Sequence, residues 1–207
     1  TIAPIATPVD TRRSSQAVHR PVPVDAVTLD DPIWAPRIRV NRAQTIPAQF
    51  EHLEQTDRLN NLRRVTGKWD GPYVGREFND SDVHKWLEAA SWALVGASDD
   101  ERARIEPMMD TAIGVLEEAQ GSDGYLNSYY SVERESERWS NLRDKHELYC
   151  AGHLFQAAVA HHRVTGSTRL LDIATRFADL ICDTFGPASE GKREETDGHP
   201  EIEMALV

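Results

Sequence analysis

The chain has 207 residues, 40% of them hydrophobic, enough to bury a core, and its length suits one domain or a domain plus an arm. Its 34 acidic against 23 basic side chains leave a formal charge of -11, which repels phosphate backbones; no basic patch is segregated in the sequence, so no nucleic-acid partner is expected. The longest apolar runs are too short to span a bilayer, and no basic stretch followed by an apolar core marks a signal peptide.

Residues 1–23 carry Pro, Ser, Thr and Arg without a sustained period and read as a flexible arm. Thr1 in place of Met leaves open a removed leader or a trimmed chain. Val22, Val24, Val27 and Leu29 predict a short extended segment, and an Asp30-Asp31-Pro32 turn leads to Ile33 and Trp34, expected to anchor against the main body. From there the pattern is helical. Ile46, Phe50 and Leu53 set the buried stripe of a first helix reaching toward Leu62, with Pro47 near its start or kinking it. Val83, Trp86, Leu87, Ala90 and Leu94 mark a second, opened by Asp80-Ser81-Asp82, where at least one carboxylate is expected to cap the helix. Ser98 and Glu101 stand at capping-box spacing ahead of a third, whose stripe runs Ile105, Met108, Met109, Ala112, Ile113, Leu116. Leu148, Ala151, Gly152, Phe155 and Val159 give a fourth, ending near Gly166. Leu170, Ala174, Phe177, Ala178 and Ile181 give a fifth, ending near Gly186. A sixth starts just after Asp197-Gly198-His199-Pro200, since proline is tolerated in a first helical turn.

Short connections alternate with long ones such as Gly121 to Asp144, which implies stacked antiparallel hairpins. The predicted fold is all-α: helical hairpins forming about half of a toroid, behind a short extended N-terminal arm. A closed toroid of six hairpins needs about twelve helices of roughly a dozen residues each, and this chain supplies about half. It is then either the N-terminal portion of a longer enzyme or an open half-ring whose edge needs a partner.

The long loops hold the unusual residues. Around Asp123-Gly124-Tyr125-Leu126, the rings of Tyr125, Tyr129 and Tyr130 can stack on sugars while Asp123 and Asn127 bond hydroxyls; equally, the tyrosines can simply pack the loop. His146, Cys150 and His153 fall on one helical face, a polar pocket wall or a core stripe. Imidazole and thiolate are zinc ligands, but no fourth ligand or paired segment is near, so no metal ligand is assigned in this chain. His146 at a helix start is better placed to meet a substrate hydroxyl. His199 repeats that theme, with Glu201 and Glu203 close by or simply complementing the helix dipole, and His161 and His162 near a helix C-terminus read as surface residues. Cys150 and Cys182 are too few for a disulfide framework. Free thiols in a reducing compartment, the cytoplasm, are expected, with secretion left open.

The series Trp34-Ala35-Pro36-Arg37, Thr45-Ile46-Pro47-Ala48-Gln49, Phe78-Asn79-Asp80-Ser81-Asp82-Val83-His84-Lys85-Trp86-Leu87-Glu88-Ala89, Asp123-Gly124-Tyr125-Leu126, His146-Glu147-Leu148-Tyr149-Cys150-Ala151-Gly152-His153-Leu154 and Asp197-Gly198-His199-Pro200-Glu201-Ile202-Glu203 resembles the N-terminal half of the beta-L-arabinofuranosidases of glycoside hydrolase family 127. The likeness runs over residues 24–207 and implies the N-terminal part of an (α/α)6 catalytic domain, continued elsewhere by beta-sandwich domains. It implies retaining, exo-acting hydrolysis of arabinose-containing glycans. It also implies a sugar subsite lined by Gln49, His146 and His199, which bond hydroxyls, and by Phe78, an apolar contact.

In the family a zinc-bound cysteine thiolate attacks the anomeric carbon and a glutamate is acid/base, the metal being held by a Glu-x-Cys segment and a Cys-Cys pair. None of those segments occurs here. By the resemblance, Cys150 and Cys182 match neither nucleophile nor ligand positions, so zinc and both catalytic groups are expected downstream of Val207. Two other readings stay open: another toroidal carbohydrate enzyme, such as an unsaturated glycuronyl hydrolase or a lyase, and a non-catalytic sugar-binding fragment.

Overall fold

The computed structural model describes residues 7, 9, 11 and 14–206, so much of the arm expected over 1–23 lies outside the described residues. Helices α1 (Trp34–Val40), α2 (Ile46–Gln55), α3 (Arg58–Val65), α4 (Asp80–Ala93), α5 (Asp99–Ala119), α6 (Leu142–Lys145), α7 (Glu147–Thr165), α8 (Arg169–Thr184) and α9 (Glu201–Leu206) follow in chain order. Helices α2, α4, α7 and α9 pack side by side as one row, and α3, α5 and α8 form a second row against it. Residues 94–98 turn α4 back as α5, and residues 166–168 turn α7 back as α8, so the protein is all-α and built of antiparallel hairpins. Ile46, Leu59, Leu87, Leu94, Ile113, Leu116, Leu154 and Phe177 lie in the continuous core between the rows. Among the described residues no helix is long and apolar enough to cross a membrane.

Several local rules hold as read. Ser98 Oγ accepts from the Glu101 N–H while the Glu101 carboxylate accepts from the Ser98 N–H, the reciprocal cap that opens α5. Helix α7 stops at Gly166, whose φ of +76° suits glycine. Elsewhere the chain departs from its pattern. In place of the extended segment at 22–29 stands a single 3-10 turn, Val24–Ala26, behind Pro23; no partner strand pairs with it among the described residues, so Val22, Val27 and Leu29 stay exposed. Trp34 is no anchor. It is 58% exposed and lies under the Arg37 guanidinium at the start of α1, after the Asp31 carboxylate has accepted from the Ile33 and Trp34 N–H groups.

The predicted first helix is really two. Ahead of Pro47, which lacks an N–H and whose ring would strike the carbonyl four residues back, the backbone widens into a π turn over Asn41–Thr45. That carbonyl, of Ala43, accepts from Arg104 instead. Arg42 in the same turn reaches across to the carbonyls of Ala93, Val95 and Gly96, which the end of α4 leaves without helical partners. After α2, Asp57 takes a left-handed φ of 60°, and the chain turns so that Leu53, Leu59 and Leu62 are all buried.

The long connections, residues 66–79, 120–146 and 185–200, each deliver the chain to the N-terminus of a first-row helix: α4, α7 and α9. Two buried carboxylates at those helix starts hold the second loop in place. Asp80 accepts from the Ser128 N–H at 2.6 Å and the Ser128 hydroxyl at 2.5 Å. Glu147 accepts from the Tyr125 hydroxyl at 2.6 Å and the Trp139 N–H at 2.8 Å. Asp80 therefore caps nothing, and Asp82 pairs with Arg58; neither carboxylate does the capping that the sequence suggested.

Candidate functional site

Phe78, His146 and His199 stand immediately before α4, α7 and α9, so the packing of those helices gathers them. The Phe78 and His146 rings are 5.4 Å apart between centroids, and His146 and His199 are 6.3 Å apart. His146 joins α6 to α7 in a left-handed conformation, φ 58°, unusual for a residue with a β-carbon. Its Nδ1 lies 3.0 Å from the Asp144 carbonyl. His199 is exposed, and the loop before it is pinned where the Gly198 N–H donates to Leu142 O at 3.2 Å. A β-carbon on Gly198 would stand 2.0 Å from Arg143 O, so the close approach requires glycine there.

Tyr149 lies between these rings. One turn into α7, its ring meets His146 at 5.4 Å, His153 at 4.5 Å and His199 at 4.6 Å. Its hydroxyl accepts from the Lys85 ammonium of α4 at 2.5 Å, and Lys85 also donates to Ser81 Oγ at 3.2 Å. Lys85 in turn lines a groove of about 390 Å³ between α2 and α4 that includes Gln49, an exposed residue of α2. The structure thus brings Phe78, His146 and His199 into one ring cluster and sets Gln49 on an adjoining wall, with Lys85 common to both.

Below the cluster the polar groups are pressed toward neutrality. Burial, with the charges of Lys85 and His199, pulls His153 down to about 4, while burial pushes the Glu201 carboxyl up. His153 Nδ1 and Glu201 Oε1 are 3.2 Å apart, yet out of line for a hydrogen bond. His84, fully buried, is pulled down to about 3 by desolvation although its Nδ1 meets Cys150 O at 2.9 Å. Burial raises Asp197 as well.

Cys150 is buried against the Phe78 carbonyl, to which its thiol donates at 3.6 Å, and burial holds that thiol well above its usual range, away from the thiolate a metal needs. Cys182 is exposed on α8. Among the described residues no three His, Cys, Asp or Glu side chains gather as a metal site.

The sugar-stacking alternative for the loop tyrosines fails. Tyr125 and Tyr130 are 1% exposed. Tyr125 packs edge-on against Trp139 and Phe177 with its hydroxyl on Glu147, and the Tyr129 ring is covered by Arg134. His161, expected at the surface, is buried in α7, and that burial lowers its pKa.

Residues 26–207 match the family described as Beta-L-arabinofuranosidase, GH127 catalytic domain. The chain belongs to glycoside hydrolase family 127. A curated relative, the non-reducing end beta-L-arabinofuranosidase of Bifidobacterium longum subsp. longum, is 41% identical over 151 residues, covering 71% of this chain and 22% of that protein. A crystal structure of a GH127 beta-L-arabinofuranosidase from Geobacillus stearothermophilus T6 superposes with a TM-score of 0.81 at 44% identity, over 87% of this chain and 29% of that one. A further GH127 beta-arabinofuranosidase structure gives a TM-score of 0.82 at 32% identity, over 90% of this chain and 30% of that one. The chain therefore spans between a fifth and a third of the length of these relatives.

Sequence reasoning passed over Lys85, Tyr149, His84 and the buried Glu147. Tyr149 was within reach, since it stands three residues after His146 and four before His153 on one helical face. Lys85 belongs to a different helix, and only packing brings it there.

Proposed function

We propose that this chain is the N-terminal sugar-binding wall of a retaining, exo-acting beta-L-arabinofuranosidase whose substrate is an arabinose-containing glycan. The observation that carries the reading is the convergence of Phe78, His146 and His199 at adjoining helix N-termini, in a chain 41% identical to a curated non-reducing end beta-L-arabinofuranosidase. His146, His199 and Gln49 bond the sugar hydroxyls, and Phe78 lies against its apolar face. Residues 24–207 form this wall and 1–23 a separate arm. The nucleophilic cysteine, the acid/base glutamate and the zinc that activates the thiol belong to the part of the protein that follows, which also closes the toroid. A cytoplasmic setting suits the unbridged Cys150 and Cys182.

The test is hydrolysis of a chromogenic beta-L-arabinofuranoside by the whole protein, with and without a zinc chelator, beside titration of L-arabinose. Turnover that the chelator abolishes supports the reading, and undiminished turnover without zinc overturns its mechanism. His146→Ala and His199→Ala should each weaken arabinose affinity about tenfold, the equivalent of one hydrogen bond of about 1.4 kcal/mol, in variants that still fold. Variants that unfold, with a residual folded fraction binding normally, would make the histidines structural.

A further inference from the structure

A second pocket lies at the opposite end of the bundle from the ring cluster. His146 opens α7 and His161 stands near its close, about 20 Å along the axis at roughly 1.5 Å per residue. Around His161, the turns after α4 and α7 leave a cavity of about 260 Å³ walled by α5, α7 and the start of α8. Its floor is apolar, formed by the buried Leu94, Met109 and Ile113. Its walls carry Glu106, Asp110, His161 and Arg169, none of which the sugar-binding wall uses.

The polar groups here are only partly spent. Arg169 donates from Nε and Nη2 to the Glu117 carboxylate at 3.0 and 2.7 Å, and Glu106 accepts from Arg102 at 3.1 Å. Nη1 of Arg169 is left 3.9 Å from Oδ1 of Asp110. That gap is too long for a hydrogen bond, and one hydroxyl oxygen can bridge it, accepting from the guanidinium and donating to the carboxylate. His161 supplies the second pointer. The residue is 6% exposed, and its Nδ1 is sealed without a hydrogen-bond partner. A proton on that nitrogen would be a donor with no acceptor, which protein interiors rarely leave. Burial also lowers the His161 pKa, favouring the singly protonated ring, so the proton sits on Nε2 and the ring offers the cavity an N–H. Charge narrows the ligand class further: a carboxylate would meet Asp110 and Glu106, and an ammonium would meet Arg169. A neutral molecule with hydroxyls on a carbon frame meets neither penalty.

We infer that this pocket binds a small neutral polyol, a single sugar or smaller, with one hydroxyl set between Arg169 and Asp110, another accepting from His161, and its C–H groups over Leu94, Met109 and Ile113. At about 260 Å³ the cavity lies just below the range of about 300–1,000 Å³ usual for drug-sized ligands, which suits one sugar ring. The inference stands apart from the arabinofuranosidase reading, because it uses the other end of α7.

Met109, in the floor, gives the pocket its own reporter. In the whole protein labelled at its methionine methyl groups, the Met109 signal, identified by its absence in Met109→Leu, is followed by NMR during titration with L-arabinose and, separately, with glycerol. A shift with either polyol supports the inference, and which of the two binds more tightly identifies the ligand as sugar or smaller polyol; n-butylammonium and butyrate should leave the signal in place. Asp110 is exposed, so Asp110→Ala removes the bridge without entering the core, and it should weaken the polyol response at least fivefold. His146→Ala and His199→Ala together should leave the response intact. A Met109 signal unmoved by both polyols, moved equally by n-butylammonium or butyrate, or unchanged in its response in Asp110→Ala overturns the inference. Loss of the response in the double histidine variant overturns it as well, by tracing the signal to the ring cluster.

Discussion

Glu147 shows how one buried acid can serve the site without touching a ligand. Its carboxyl, sealed beneath the second long loop, is pushed by burial from 4.5 up to about 7. Between those pH values the folded chain keeps a proton that the unfolded chain has released. The stability this group confers is therefore complete below about pH 4.5 and is lost as the pH rises through 7. Glu147→Gln is the isostere of the protonated acid, its amide oxygen accepting from the Trp139 N–H while its NH2 stands where the acid O–H would donate to the Tyr125 oxygen; the two proteins therefore match where the wild-type acid is protonated, and the variant, with no charge to desolvate, is the more stable where it is not. Urea unfolding at pH 5 and pH 8 should show a narrow gap between the two proteins at pH 5 and a wide one, in favour of the variant, at pH 8. His84 and His153, depressed to about 3 and about 4, titrate with the opposite sign, but they are common to both proteins and cancel in the comparison. Equal gaps at the two pH values would show that Glu147 is ionised throughout. The role of Glu147 was not legible in the sequence, because an acid at a helix start reads as a dipole partner; so did Asp80, which binds Ser128 instead. The tyrosines misled for the same reason: only packing decides whether a loop ring faces solvent or core.

Helix α9 is short, and its position on α7 depends on a glycine. A β-carbon on Gly152 would come within 2.9 Å of Glu201 Cγ and 3.0 Å of the Glu201 backbone carbon and oxygen, so α9 must move if one is added. It can move, having only the residues from Glu201 to Leu206 to carry. Alanine restores about 0.5–1 kcal/mol of helix propensity at that position, which offsets much of the steric cost. Gly152→Ala should thus shift the thermal midpoint little while lowering arabinose affinity toward that of His199→Ala, because His199 rides on the start of α9. Unchanged affinity beside wild-type stability would show that the α9 position does not set the imidazole. At this scale the sequence was informative: the apolar stripes of α4, α5, α7 and α8 and the Ser98 cap were all read from periodicity. It failed where a left-handed residue acts on the backbone. The period from Ile46 to Leu62 survives the turn at Asp57, so pattern alone joined α2 to α3.

For the whole molecule, the two-row arrangement explains why functional residues cluster in the long loops. Each such loop ends at a first-row helix, and parallel neighbours in that row bring the helix entrances together; the alternation of short and long connections made this legible before any contact was known. Glycoside cleavage requires an acid and a nucleophile or base on opposite sides of the bond. On the His199 side of the cluster, both oxygens of Asp197 and Oε1 of Glu201 are sealed from solvent, and Cys150 is held as a buried thiol. Residues 1–207 prepared alone should therefore bind L-arabinose, through His146 and His199, and release no chromophore from a beta-L-arabinofuranoside, with or without added zinc, under conditions where the whole protein is active. Zinc-independent turnover by the isolated chain would place the acid and nucleophile among the residues described, with Asp197 and Glu201 the first to substitute. Arabinose binding that survives His146→Ala and His199→Ala together would move the sugar away from the helix entrances altogether.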